Sequence, residues 1–262
     1  MPDRSADSDN HSDNHIHNNH NHSNNDEAED ETPFTISESL VPSPRHQQAR
    51  TTQTDFDGLL PQDTPLRLAE DLAKGNGGQA WPAGYVLARY LLRRKLGELG
   101  GAGAILAVAL AMKCRPPPAT TSHGPPVVYL TDQAPMLALM QQNILLNGLV
   151  EGRQVQACVY DWGAGNRPAS IPERPDVVLA ADCVYFEPAF PLLLQTLEEL
   201  LRGEGSVCYF CFKRRRRADM QFLRAARRGF VVGDVGDDPE GEGYARENIF
   251  LCVHHQATDT GR

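Results

Sequence analysis

The residues best placed to do chemistry lie where apolar runs end. Val177 to Ala181 is an unbroken apolar run, followed by Asp182, Cys183, Val184, Tyr185 and an aromatic stretch bounded by Pro188 and Pro191. Such a run reads as a buried strand, and ligands of an open α/β sheet bind outside the carboxyl ends of its strands. Asp182 and Tyr185 are therefore candidate functional residues. Two earlier runs close the same way, Val127 to Thr131 on Asp132 and Val155 to Tyr160 on Asp161, with Trp162 next. Three strands in succession each end in an acid.

The elements that must position these groups follow from periodicity. Met136 to Gly148 has helical apolar spacing and ends in Asn147-Gly148, which suits a left-handed cap. Phe190 to Leu201 is a second helix, and Val207 to Phe212 is a further strand. Tyr85 to Leu96 reads as one amphipathic helix, with Val86, Leu87, Tyr90 and Leu91 on one side and Arg89, Arg93 and Arg94 between them. Gly229 to Val235 and Asn248 to His254 read as two strands around the acidic, Gly-rich loop 236–243, with His254 and His255 ending an exposed strand. Buried-type strands alternating with helices give an α/β fold with a mostly parallel sheet and a C-terminal antiparallel hairpin.

At 262 residues and 40% hydrophobic content the chain suits one α/β domain, assigned to residues 56–262. Residues 1–55 are read as a disordered tail, because Met1 to Glu31 is nearly all Asp, Asn, Ser and His. His11, His15, His17, His20 and His22 could share a transition metal, but a solvated low-complexity tail is the reading adopted, and no metal site is assigned. Neither a secretory leader nor a run long enough to span a membrane is recognised. The six cysteines mostly lie in apolar runs, as reduced thiols of an intracellular protein do. Cys208 and Cys211 form a lone C-x-x-C inside a strand, read as core. The formal net charge of −9 argues against nucleic acid as a direct partner. The run Lys213-Arg214-Arg215-Arg216-Arg217 is the exception, a loop that could grip an acidic partner or phosphates, or simply be solvated.

Gly78-Gln79-Ala80-Trp81-Pro82-Ala83-Gly84, Leu130-Thr131-Asp132, Tyr160-Asp161-Trp162-Gly163 and Ala181-Asp182-Cys183-Val184-Tyr185 occur in the order and rough spacing of the seven-β-strand protein-lysine methyltransferases of family 16. Over about residues 56 to 255 the chain resembles that family, most of all its fungal members that methylate a lysine of translation elongation factor 1-alpha. The resemblance implies a Rossmann-like seven-stranded sheet with helices on both faces, S-adenosyl-L-methionine as cofactor, a protein substrate, and a monomer working in the cytoplasm. It also implies Asp132 at the cofactor's ribose, Asp161 and Trp162 at its adenine, Trp81 near its methionine end, and Ala181 beside it. Asp182 and Tyr185 would then meet the lysine, the one orienting an ammonium that must lose its proton, the other offering an aromatic wall.

The family's first strand ends in a glycine loop whose bare backbone lets the cofactor approach. Here the only candidate is Gly97-Glu98-Leu99-Gly100-Gly101-Ala102-Gly103-Ala104, with no strand before it. The preferred alignment makes Gly97 to Gly101 the loop that ends the preceding helix and Ala104 to Leu110 the helix that follows the glycine turn. One strand and its turn would then be absent, through a faulty gene model or genuine loss. Arg115 to Pro126 is read as a Pro-rich surface loop. The main reading is a protein-lysine methyltransferase. A catalytically impaired methyltransferase-fold binder that docks its partner through Lys213 to Arg217 is the alternative. A nicotinamide dehydrogenase fits poorly, because the glycine fingerprint is broken and Asp132 lies 29 residues past Gly103 rather than ~20.

Overall fold

A computed structural model of the chain describes residues 49–94 and 127–256. The histidine tract, the glycine segment 97–104, the 104–110 helix, Cys114 and the 115–126 loop lie outside the described residues. Among the described residues no helix is long and apolar enough to cross a membrane.

The chain enters through a hairpin that the periodicity did not reveal. β1 (Arg50–Thr54) pairs antiparallel with β2 (Leu66–Glu70). The tail drawn to residue 55 is thus corrected at its end: Thr51, Thr52 and Thr54 are β-branched, and β2 offers an edge for their backbone to pair with. Leu66 and Leu68 face the core. α1 (Pro82–Arg93) starts on a proline, whose missing N–H costs nothing in a first turn, and buries Ala83, Leu87, Ala88, Tyr90 and Leu91. Its later half is pinned by ion pairs from Arg93 to Asp238, from Arg89 to Glu240 and from Arg94 to Asp237.

β3 (Val128–Asp132), α2 (Leu137–Leu146), β4 (Val155–Val159), β5 (Val177–Ala181), α3 (Phe190–Leu200) and β6 (Val207–Lys213) follow in the expected order, and α4 (Arg217–Ala226) comes next. β7 (Phe230–Asp234) and β8 (Ile249–Gln256) pair antiparallel, as anticipated. Between them the Gly-rich stretch carries a short helix, α5 (Gly241–Arg246), and is not all loop. Gly148 takes φ +60°, the left-handed cap expected after α2.

The sheet departs from the family expectation. Eight strands form three sheets among the described residues: β1-β2, β3-β4 and β5-β6-β8-β7. β3 pairs parallel with β4 and β5 parallel with β6, yet β3 and β5 are not hydrogen-bonded to one another. A single seven-stranded sheet is therefore not found there. All five residues of β5 are apolar, and Ala180 is the buried one among them.

Both parts still share a core. Along β6, Cys211 joins the cluster that holds Leu87, Leu91, Val128 and Leu130, while Cys208, Phe210 and Phe212 face Leu193, Leu197, Phe222 and Leu223. This is the period of two of a strand, with α1 on one face and α3 and α4 on the other. Cys208 and Cys211 point to opposite faces, so both serve the core and cannot share a metal. His254 corrects another expectation. β8 is an inner strand, flanked by β6 and β7, so His254 is wholly buried and stacks on Phe210 at 5.1 Å.

Candidate functional site

The stretch before α1 is held by backbone. The Asp71 N–H donates to the Gly78 carbonyl at 2.7 Å, and buried Glu70 accepts from the Ala80 N–H at 3.0 Å and from Arg50 Nε at 2.6 Å. A Cβ at Gly78 would fall 2.0 Å from the Asp71 carbonyl oxygen, so only glycine fits. These contacts aim Gly77 at β3 and place Trp81 just ahead of α1.

Asp182 extends β5 by one rung, its N–H donating to Cys211 at 2.8 Å, and then turns the chain at φ +54°. That left-handed turn drives its carboxylate inward rather than onward to α3. Oδ1 accepts from the Lys213 N–H at 2.9 Å and from Arg215 Nη1 at 3.0 Å. Oδ2 accepts from Arg215 Nη2 at 3.3 Å and from the Ala83 N–H, in the first turn of α1, at 3.4 Å. The Arg215 guanidinium also lies 5.3 Å from the centre of the Trp81 ring. Trp81, Asp182 and Arg215 form one constellation: a cation gripped by a carboxylate from one side and an indole from the other.

Arg215 was not singled out from the sequence, where it is one of five basic residues in a row. No local signal marks it, since only the parallel pairing of Ala181 with Cys211 sets the residues after β5 beside those after β6. The run is mostly spoken for. Arg214 bonds Asn248 and lies over Phe250, and Arg216 pairs with buried Asp219 at 2.8 Å. Asp219 also accepts the backbone N–H groups of Arg215 and Arg216, closing the start of α4.

Asp132 ends β3, its Oδ1 accepting the Gln133 N–H at 2.7 Å. A Cβ at Gly77 would stand 2.6 Å from its Oδ2, so only a bare glycine lets the loop approach that carboxylate. The Tyr160 N–H donates to the Asp132 carbonyl at 2.9 Å, which ties the end of β4 to that of β3 and sets Asp161 close by. Trp162 packs on the cluster of Val184, Phe190 and Leu193, and the next N–H, of Gly163, donates to Thr196 Oγ1 at 2.9 Å. Tyr185 follows buried Val184 and is half-buried. Asp132 also acts on the residues that follow β5. Burial first, then Asp182 and Asp132, push the Cys183 thiol up to about 12. The acid-ended strands of both half-sheets thus open onto one region.

The model of the family described as lysine methyltransferase matches residues 61–228, which include Trp81, Asp132, Asp161, Trp162, Asp182, Tyr185 and Arg215. The chain belongs to the lysine methyltransferase family. It is 32% identical over 247 residues to Protein-lysine N-methyltransferase EFM6 of Saccharomyces cerevisiae, covering 82% of this chain and 95% of that one. It is 33% identical over 186 residues to Protein N-lysine methyltransferase METTL21A of Danio rerio, covering 67% and 78%. To EEF1A lysine methyltransferase 3 of Xenopus tropicalis it is 28% identical over 207 residues, covering 68% and 86%. Overlays on solved structures are loose, such as a TM-score of 0.41 at 11% identity with an O-methyltransferase family protein from Burkholderia thailandensis, over 79% of this chain and 64% of that one. As a lysine methyltransferase, the protein has to bring an amine and a methyl donor together, and it needs no nucleophile of its own.

Proposed function

We propose that this lysine methyltransferase uses S-adenosyl-L-methionine to methylate a lysine of translation elongation factor 1-alpha, in the cytoplasm. The observation that carries the reading is the cation held between Asp182 and Trp81 at the strand ends of a chain in this family. Two of the relatives above are named for lysine methylation in general and one for elongation factor 1A.

The residues present fit the cofactor at its nucleoside end. Asp132 and Asp161 are acceptors at adjoining strand ends, and Gly77 keeps the space beside the Asp132 carboxylate free of any Cβ. Asp132 would hold the ribose hydroxyls, Asp161 and Trp162 the adenine, and Ala181 and Trp81 the side nearer the amine. When bound, the cofactor supplies an electrophilic methyl group. The chain's own work is on the amine. Asp182 receives it as an ammonium, and Tyr185 and Trp81 wall it with aromatic faces. The Asp182 carboxylate holds the ammonium form, whereas withdrawal from water and the positive charge of the cofactor, when bound, would lower the lysine pKa from its reference ~10.4; the proton would leave to solvent before the neutral amine takes the methyl group.

The alternative is a binder of impaired catalysis; among the described residues β3 and β5 are not hydrogen-bonded to one another. Calorimetric titration of the full chain with S-adenosyl-L-methionine, followed by transfer of labelled methyl to elongation factor 1-alpha, separates the two readings. Micromolar affinity with one modified lysine supports the enzyme. A folded chain that takes up no cofactor overturns it in favour of the binder, and transfer to other proteins alone overturns the choice of substrate.

A further inference from the structure

We propose that Arg215 is an internal stand-in for the substrate: its guanidinium fills the place between Asp182 and Trp81 that the lysyl ammonium takes, and it must swing out before a lysine can enter. The inference rests on the lysine-methylation reading and adds a residue to it. A cation beside a carboxylate and over an indole is what a lysine side chain needs on arrival, and Arg215 already supplies it.

Three features make Arg215 the mobile partner. The Asp182 side chain is 3% exposed and that of Arg215 36%, so the approach from solvent to the carboxylate runs past the guanidinium. The Arg215 backbone is fastened independently, its N–H donating to Asp219 Oδ2 at 2.8 Å, and Asp219 is itself buried. The side chain can therefore turn away while the start of α4 stays in place. Finally, Asp182 keeps two backbone donors, from Lys213 and Ala83, when the guanidinium leaves. What remains is an oriented but uncompensated buried carboxylate, which demands another cation and has no use for a neutral side chain.

The exchange is selective. A guanidinium reaches Asp182 through two parallel N–H groups, whereas an ammonium is a compact charge with three donors, so replacing one by the other exposes part of the carboxylate that Arg215 had covered. Arg215 thereby opposes unproductive occupancy by weakly held cations, and a lysine presented by a docked protein, at high local concentration, displaces it.

The test titrates the full chain with n-butylammonium chloride, a lysine side-chain analogue, against n-butanol as the neutral control at constant ionic strength. Tryptophan fluorescence is the readout, and Trp81→Phe assigns the signal. Wild type is expected to respond weakly, and Arg215→Ala to bind the amine at least tenfold more tightly with no gain for n-butanol. Adding Asp182→Asn to that variant is expected to abolish the gain. A folded Arg215→Ala chain that gains no amine affinity overturns the proposal, leaving Arg215 only to anchor Asp182. Where Arg215→Ala does not fold, Arg215→Gln is read in its place, and failure of both to fold overturns the proposal as well. Methyl-transfer kinetics keep the two readings apart. A lower KM for the protein substrate in Arg215→Gln supports the stand-in, whereas tighter amine binding without transfer by any variant overturns the enzymatic reading alone.

Discussion

Asn143 holds both backbone polar groups of Ala69, accepting from its N–H at 2.7 Å and donating to its carbonyl at 3.0 Å. One turn later Asn147 does the same to Arg67, at 2.8 and 2.7 Å. The i, i+4 spacing aligns the amide of Asn143 in α2 with that of Asn147 at its C-cap, and together they complete the edge of β2 as a neighbouring strand would. Asn143→Ala would leave a part-buried N–H and carbonyl of Ala69 without that partner, at a cost of about 1 kcal/mol for each hydrogen bond lost. Urea unfolding should show a lower midpoint at unchanged slope; a midpoint equal to wild type would show that water replaces the side chain.

Two glycines near α1 should respond in opposite ways. A Cβ at Gly84, within the helix, meets nothing within 4 Å, so Gly84→Ala should stabilise the protein by about 0.5–1 kcal/mol. At Gly77 the Cβ would stand 2.6 Å from Asp132 Oδ2 and 3.1 Å from Met136 Sδ, so Gly77→Ala must push the carboxylate aside. Cofactor affinity should fall in that variant, in the same direction as for Asp132→Ala, where a lost charged hydrogen bond is worth ~1.5–3 kcal/mol. Calorimetry checks this, and full affinity in Asp132→Ala would remove that residue from the cofactor site.

His254 makes stability depend on pH. Burial, helped by Arg227 and His255, lowers its pKa from 6.5 to about 4, and neither ring nitrogen has a hydrogen-bond partner. The fold holds the neutral ring, so between 6.5 and about 4 the unfolded chain binds more protons. Its contribution is complete above pH 6.5 and is lost as pH falls through that window, with a slope of up to about 1.4 kcal/mol per pH unit. In His254→Leu, which forfeits no hydrogen bond, that part of the slope should vanish from a series of urea melts between pH 4 and 8. Persistence of the full slope would assign it to other groups.

Cys183, Cys208, Cys211 and Cys252 should resist alkylation. Burial is the leading cause that raises all four thiols, Cys183 and Cys252 to about 12, so little thiolate exists at neutral pH. Peptide mapping after iodoacetamide at pH 7.5 should find these four unmodified until urea is added. Rapid labelling of Cys208 or Cys211 in the native protein would contradict the packing of β6.

Much of the fold was legible because its periods are strong. The apolar runs of β3, β5 and β6, the helical spacing of α2 and α3, and the Asn-Gly stop after α2 are local patterns, and each appears within a residue or two of its expected bounds. The glycine segment, and the strand expected before it, lie outside the described residues. What escaped was whatever depends on neighbours distant in sequence. β1 and β2 have weak alternation of their own and are held by each other and by Asn143 and Asn147. His254 reads as a polar residue near a chain end, and only the place of β8 between β6 and β7 buries it.

By itself the sequence determined which residue types stand at the ends of the strands, the acids Asp132, Asp161 and Asp182 and the tryptophans Trp81 and Trp162, together with the family in which that order occurs. Strand and helix periods are properties of neighbouring residues, so they survive in one dimension. Only the tertiary structure decided what those carboxylates face. Parallel pairing of β5 with β6 and the left-handed turn at Asp182 bring Ala83 to Asp182, 99 residues apart, and close Arg215 onto the same carboxylate. Such a contact depends on register and backbone handedness, which no local pattern of residues encodes.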